Sequence, residues 1–72
     1  MPAESTYKII ELVGTSEKSW EDAAKNALQS ASSSLKEMRI AEVTRMDMKM
    51  EGGKPTVFRT RLNVSFKYLK ED

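Results

Sequence analysis

The chain has no cysteine and no histidine. Without cysteine there are no disulfides and no thiolate metal sites. Without histidine there are no imidazole zinc sites and no Ser-His or Cys-His nucleophile pairs, and the commonest general base is missing. Proline occurs twice, glycine three times and tryptophan once, so each is an informative punctuation mark. No apolar run approaches the ~18 residues of a membrane-spanning helix. The first residues, MPAESTYK, have no basic stretch followed by an apolar one, so no signal peptide is expected. Neither charge sign dominates: 12 basic and 11 acidic residues give a net charge of +1. Nothing in that balance asks for a nucleic-acid or membrane partner. The expectation is a soluble cytoplasmic protein.

What is present is short. Seventy-two residues make one domain, and a chain of this size buries only about 60% of its unfolded surface. Small scaffolds rely on disulfides, metals or association. With thiolate and imidazole ligands absent, self-association is the support that remains. The reading divides the chain into a loose arm (1–6), one domain (7–69) and a tail (70–72).

The stretch from Thr56 to Leu69 alternates almost throughout. Thr56, Phe58, Thr60, Leu62, Val64, Phe66 and Tyr68 fall on one side; Val57, Arg59, Arg61, Asn63, Ser65, Lys67 and Leu69 fall on the other. A period of two places these sets on opposite faces of a strand. Tyr7 to Val13 reads as a first strand, apolar on both faces except at Lys8 and Glu11, and so well covered. Gly14-Thr15-Ser16 is expected to break it, with Gly14 free to adopt unusual backbone angles. Ser19 reads as an N-cap, with Glu21 and Asp22 in the first helical turn. Trp20, Ala23, Ala24, Ala27, Leu28, Ala31, Leu35 and Met38 form one helical stripe, which predicts a helix from about Trp20 to Met38. Its weak segment is the serine-rich run from Ser30 to Ser34.

From Arg39 to Glu51 the pattern alternates again, with a conflict. Ala41 and Val43 share one parity, while Met46, Met48 and Met50 share the other. A β-bulge near Thr44-Arg45 would place both groups on one face; cover on different faces at the two ends is the alternative. Gly52-Gly53 predicts a hairpin turn, and Pro55 opens the return strand, where a missing N–H does least harm. The order is strand, helix, strand, strand: an α+β chain with a three-stranded antiparallel sheet, the last strand central and the helix on one face.

The segments YKIIELVGTSEKSWEDAAKNAL, RIAEV and FRTRLNVSFKY resemble the dodecin family over about Tyr7 to Tyr68. The resemblance implies a β-α-β-β subunit in which a long curved hairpin partly wraps the helix, and twelve subunits forming a hollow shell. It implies a non-catalytic storage or buffering role, with flavin and in some members coenzyme A as ligands. In flavin-binding members a stacking tryptophan stands at the position of Ile40 and a flavin-reading glutamine at that of Arg59. Both are replaced here, so riboflavin or FMN is expected to bind weakly. Serine-tryptophan at the helix start and an arginine in the last strand are closer to a branch that includes a calcium-binding dodecin. Calcium is therefore the other candidate ligand, bound to residues that the sequence does not place.

Each position also has a plainer reading. Arg59 serves a solvated face or an inter-subunit ion pair with Asp47, Glu42 or Glu51; its planar donor fork also suits an anion. Ile40 is packing surface or a ligand contact without stacking. Trp20 is an apolar anchor. The three alternating methionines read as core or subunit packing, and otherwise as a soft-metal or adaptable surface. Glu21, Asp22, Glu42, Asp47 and Glu51 are oxygen donors that no single loop gathers as calcium would require. Thr15 and Ser16 lack a histidine to activate them. An enzyme is the least supported class.

Overall fold

The computed structural model describes residues 6–33 and 37–67. Strand β1 spans Tyr7–Ser16, helix α1 Trp20–Ala31, strand β2 Met38–Glu51 and strand β3 Lys54–Lys67. The sheet order is β1-β3-β2, with both pairings antiparallel. The central strand is thus the one with the longest alternation, as the sequence predicts. Residues 1–5 of the arm (1–6), the tail (70–72), Leu35 of the helical stripe, and Tyr68 and Leu69 of the last strand lie outside the described residues. No helix among the described residues is long and apolar enough to cross a membrane.

The helix starts where its cap dictates: Ser19 Oγ accepts a hydrogen bond from the Asp22 N–H at 3.0 Å. It ends at Ala31, earlier than the periodicity predicts, and Met38 belongs to β2. The serines account for the early stop. The Ser32 hydroxyl donates to the Gln29 carbonyl (2.8 Å) and the Ser33 hydroxyl to the Ser30 carbonyl (3.1 Å). Such local bonds compete with continued helical pairing.

Gly14 corrects a second expectation. It does not break β1, which runs on to Ser16, and it is absent from the positive-φ residues. Its role is proximity: a Cβ there would collide with the Ala23 carbonyl oxygen and stand 2.8 Å from the Ala27 Cβ. The alanine stripe and Gly14 together let α1 lie almost backbone to backbone on β1. By contrast Gly52 and Gly53 have φ of 59° and 78°, the two left-handed positions that a tight hairpin turn requires.

The bulge is where the parity conflict puts it. Val43 pairs with Leu62 and Arg45 with Arg61, with a register shift at Thr44. The Thr44 hydroxyl donates to the Arg61 carbonyl at 3.2 Å. Ala41, Val43, Met46 and Met48 therefore all share the helix side of the sheet with Val64, Leu62, Thr60 and Phe58.

The core is small. Ala23, Ala27, Ala31, Leu62 and Val64 are its buried apolar residues, with Ile10, Leu12, Leu28 and Met38 packed around them. Thr60 is buried too, and its hydroxyl donates to the Trp20 carbonyl at 2.8 Å. α1 lies over β1 and β3, so Val43, Met46, Met48 and Met50 on β2 stay exposed. The expected cover of β1 on both faces is not found. Tyr7, Ile9 and Val13 point away from the helix and are exposed, because one helix covers one face. The hairpin extends the molecule to 55 Å, and its radius of gyration is 15.1 Å. A compact chain of this length would have about 11 Å.

Candidate ligand-binding face

Register alone orders the helix-free face of the sheet. At one end Ile9, Ser65 and Ile40 stand side by side across the three strands. The next rows are Glu11, Asn63 and Glu42; then Val13, Arg61 and Arg45; then Thr15, Arg59 and Asp47. The face therefore carries an apolar row near one end, with Tyr7 and Lys67 beyond it, and charged side chains in each of the other rows, with Val13 and Thr15 beside them on β1. At the opposite edge an apolar cleft of about 430 Å³ opens between α1 and β1, with Ile10, Leu12, Gly14, Ala27 and Ala31 in its wall and Asn26 at its rim.

Ile40 lies in the apolar row and is 67% exposed. Arg59 lies in the charged end. Its Nε donates to Asp47 Oδ1 at 2.7 Å and its Nη2 to Asp47 Oδ2 at 2.9 Å. The fork expected to meet an anion or another subunit is thus matched within the chain by Asp47, rather than by Glu42 or Glu51. These two hydrogen bonds hold the Asp47 carboxyl below its usual range. Some loss of solvation pushes the other way, and the charges of Arg59, Arg61 and Arg45 add to the lowering. The same hydrogen bonds raise Arg59.

Within one subunit Ile40 and Arg59 do not meet. Ile40 is in register with Ser65, six positions along β3 from Arg59, which is about 20 Å at ~3.4 Å per residue. A ring-sized ligand touching both positions would have to draw them from different copies of the chain.

Trp20 is an anchor on the other side of the sheet. Its ring meets Phe58 edge-on, with centroids 5.0 Å apart and planes at 72°. Its indole N–H donates to the Asp47 carbonyl at 3.0 Å. One residue, Asp47, therefore ties the helix start through its backbone and the Arg59 fork through its side chain. Ser16 likewise braces the loop before α1. Its hydroxyl donates to Asp22 Oδ2 at 2.7 Å and accepts from the Lys18 N–H at 2.9 Å.

The candidate oxygen donors are dispersed. Asp22 is engaged by Ser16, Asp47 by Arg59, and Glu51 lies 3.4 Å from Lys49 at the hairpin tip. Among the described residues no group of three or more carboxylates could hold a metal ion. The sequence reading missed the Arg45–Arg61 opposition. Its signal was the bulge, which shifts Arg45 into line with Arg61 on the helix-free face.

One helix laid on a three-stranded antiparallel sheet, with the other face open and patterned, defines a small α+β subunit that presents surface rather than enclosing it. The chain belongs to the dodecin family, whose model matches residues 6–69. It is 43% identical over 63 residues to the calcium dodecin of Mycobacterium tuberculosis, covering 88% of this chain and 89% of that one. A solved structure of that protein, described as calcium chelating with a novel calcium-binding site, superposes with a TM-score of 0.81. That superposition has 40% identity and covers 94% of this chain and 97% of the other. The dodecin of Streptomyces coelicolor superposes with a TM-score of 0.90 at 28% identity, covering 97% of this chain and all of that one.

Proposed function

We propose that this chain assembles into a homododecamer and serves as a non-catalytic binding or storage protein for a small ligand, with weak affinity for flavin. The observation that carries the weak-flavin reading is the state of the two matching positions. Ile40 offers apolar area without an aromatic face, and the Arg59 donors are engaged by Asp47. Stacking on an aromatic side chain is worth ~1–3 kcal/mol per ring in nucleic-acid complexes, so its loss on both sides of a flavin pair lowers affinity by orders of magnitude. Assembly is supported by exposed Ile9, Val13 and Ile40 on one face and exposed methionines on the other.

Titrating the protein with riboflavin and FMN while following flavin fluorescence tests the reading. Weak quenching is expected, and strong quenching at submicromolar ligand would overturn it. Ile40→Trp should then raise riboflavin affinity by roughly tenfold or more, the range that one restored stacking surface provides.

A second reading is favoured by the 43% identical relative, named for calcium. Here calcium bridges carboxylates of different copies, since the described residues of one chain do not gather them. Thermal melting in calcium and in EDTA separates the two: a midpoint raised by calcium supports it, and an unchanged midpoint counts against it.

A further inference from the structure

Glu42 and Arg45 are consecutive side chains on the helix-free face of β2, because the register shift at Thr44 takes one residue out of the alternation. Across the sheet Glu42 is in line with Asn63 and Glu11, and Arg45 with Arg61 and Val13. A row with two carboxylates and no base therefore borders a row with two guanidinium groups and no acid, about 7 Å away along the strands. Within the chain Arg61 is drawn to Glu11 at 4.0 Å, and Arg59 is held by Asp47. Arg45 acts on Asp47 only through its charge, after Arg59 and Arg61. Among the described residues no hydrogen bond or ion pair joins Glu42 or Arg45 to another side chain.

Two adjacent rows of opposite sign are self-complementary. A second copy, turned by half a turn about an axis that crosses the strands midway between the rows, lays its basic row over the acidic row of the first. Its acidic row then lies over the basic row. The operation carries β2 over β2, so Glu42 meets Arg45 of the second copy on one side of the axis and Arg45 meets its Glu42 on the other. The same axis brings the row of Ile40 over the row that holds Arg59 in the second copy. Those two positions do not meet within one chain, and this arrangement joins them between two.

We propose that the helix-free face is an isologous contact between two copies of the chain, in which Glu42 of each pairs with Arg45 of the other. This contact presupposes the assembly proposed above and specifies it: it states which face meets which, and that a ligand takes Ile40 from one copy and Arg59 from the other. The two-fold axis makes each charge count twice. Opposite charges fix the register of the two sheets, and a like charge at either position repels.

The test is sedimentation and native mass spectrometry of the intact chain over a dilution series. Glu42→Arg and Arg45→Glu should each raise the concentration at which the assembly dissociates by roughly tenfold or more, through like charges on both sides of the axis. Co-expressed in equal amounts, the two variants should assemble like the parent, since every contact then joins an acid to a base. The mixture separates a contact between copies from a role within one chain, which mixing does not restore. Single variants that each assemble like the parent, or a mixture that assembles no better than its components, would overturn the contact. A parent that stays monomeric would overturn the assembly reading and the contact with it. Should either reversal fail to fold, Glu42→Cys and Arg45→Cys decide, each supplying the sole cysteine of its chain. Disulfide-linked dimers in their co-expressed mixture beyond those of either variant alone support the contact, and equal yields overturn it.

Discussion

At the residue scale, one absent Cβ sets how closely α1 can approach β1. Gly14 faces the Ala23 carbonyl and the Ala27 methyl, and the nearest obstacle is backbone, which cannot rotate aside. Gly14→Ala should therefore destabilise the fold by about 3 kcal/mol, at the upper end of ordinary overpacking, as read from urea unfolding. A cost within experimental error would show that the helix can shift freely. The second residue-scale prediction concerns Asp47. Its carboxyl is lowered chiefly by the Arg59 hydrogen bonds, so the folded form binds its proton less tightly than the unfolded form. The pair's contribution is complete above the ordinary aspartate value of about 3.9 and is lost as pH falls through the lower folded value. NMR titration of the Asp47 carboxyl should give a midpoint below that of free aspartate in the wild type. In Arg59→Gln the midpoint should return upward; an unmoved midpoint would show that the fork does not hold the carboxyl in solution.

At the scale of elements, the bulge at Thr44 decides which side of the hairpin is apolar. Inserting one alanine between Arg45 and Met46 would leave the Thr44 bulge in place and shift β2 by one residue beyond it. The three methionines would then fall on the face opposite Val43, since a one-residue slip inverts every side chain beyond it. The expected result is a lower thermal midpoint and loss of the near-ultraviolet signal of Trp20, whose indole bonds to Asp47 beyond the bulge. An unchanged spectrum and midpoint would contradict this. Much of this architecture was legible in the sequence. The alternation of Phe58, Thr60, Leu62 and Val64 marked the central strand, Ser19 marked the helix start, and the parity conflict marked the bulge. The helix end was less legible. Serine hydroxyls stop α1 through bonds to specific carbonyls, and propensity records only that serine is a poor helix former. At the candidate face, Ile40 and Arg59 could be named from resemblance. Their separation along the sheet, and the choice of Asp47 over Glu42 or Glu51, depend on cross-strand register, which one strand's sequence does not carry.

At the scale of the whole molecule, the chain is long and thinly cored. Among the described residues five apolar side chains are buried, three of them alanine, beneath a 55 Å molecule with uncovered apolar side chains on both faces of its sheet. Disulfides are not available to this chain, and other copies of it are the cover that its exposed surfaces suit. On the proposed assembly, a ligand touching both Ile40 and Arg59 would lie between copies of the chain rather than within one. Native mass spectrometry of freshly purified protein at low micromolar concentration tests this most directly. A twelve-chain species, with any retained small ligand or ion visible as added mass, is the predicted result. A stably folded monomer as the dominant species would contradict it.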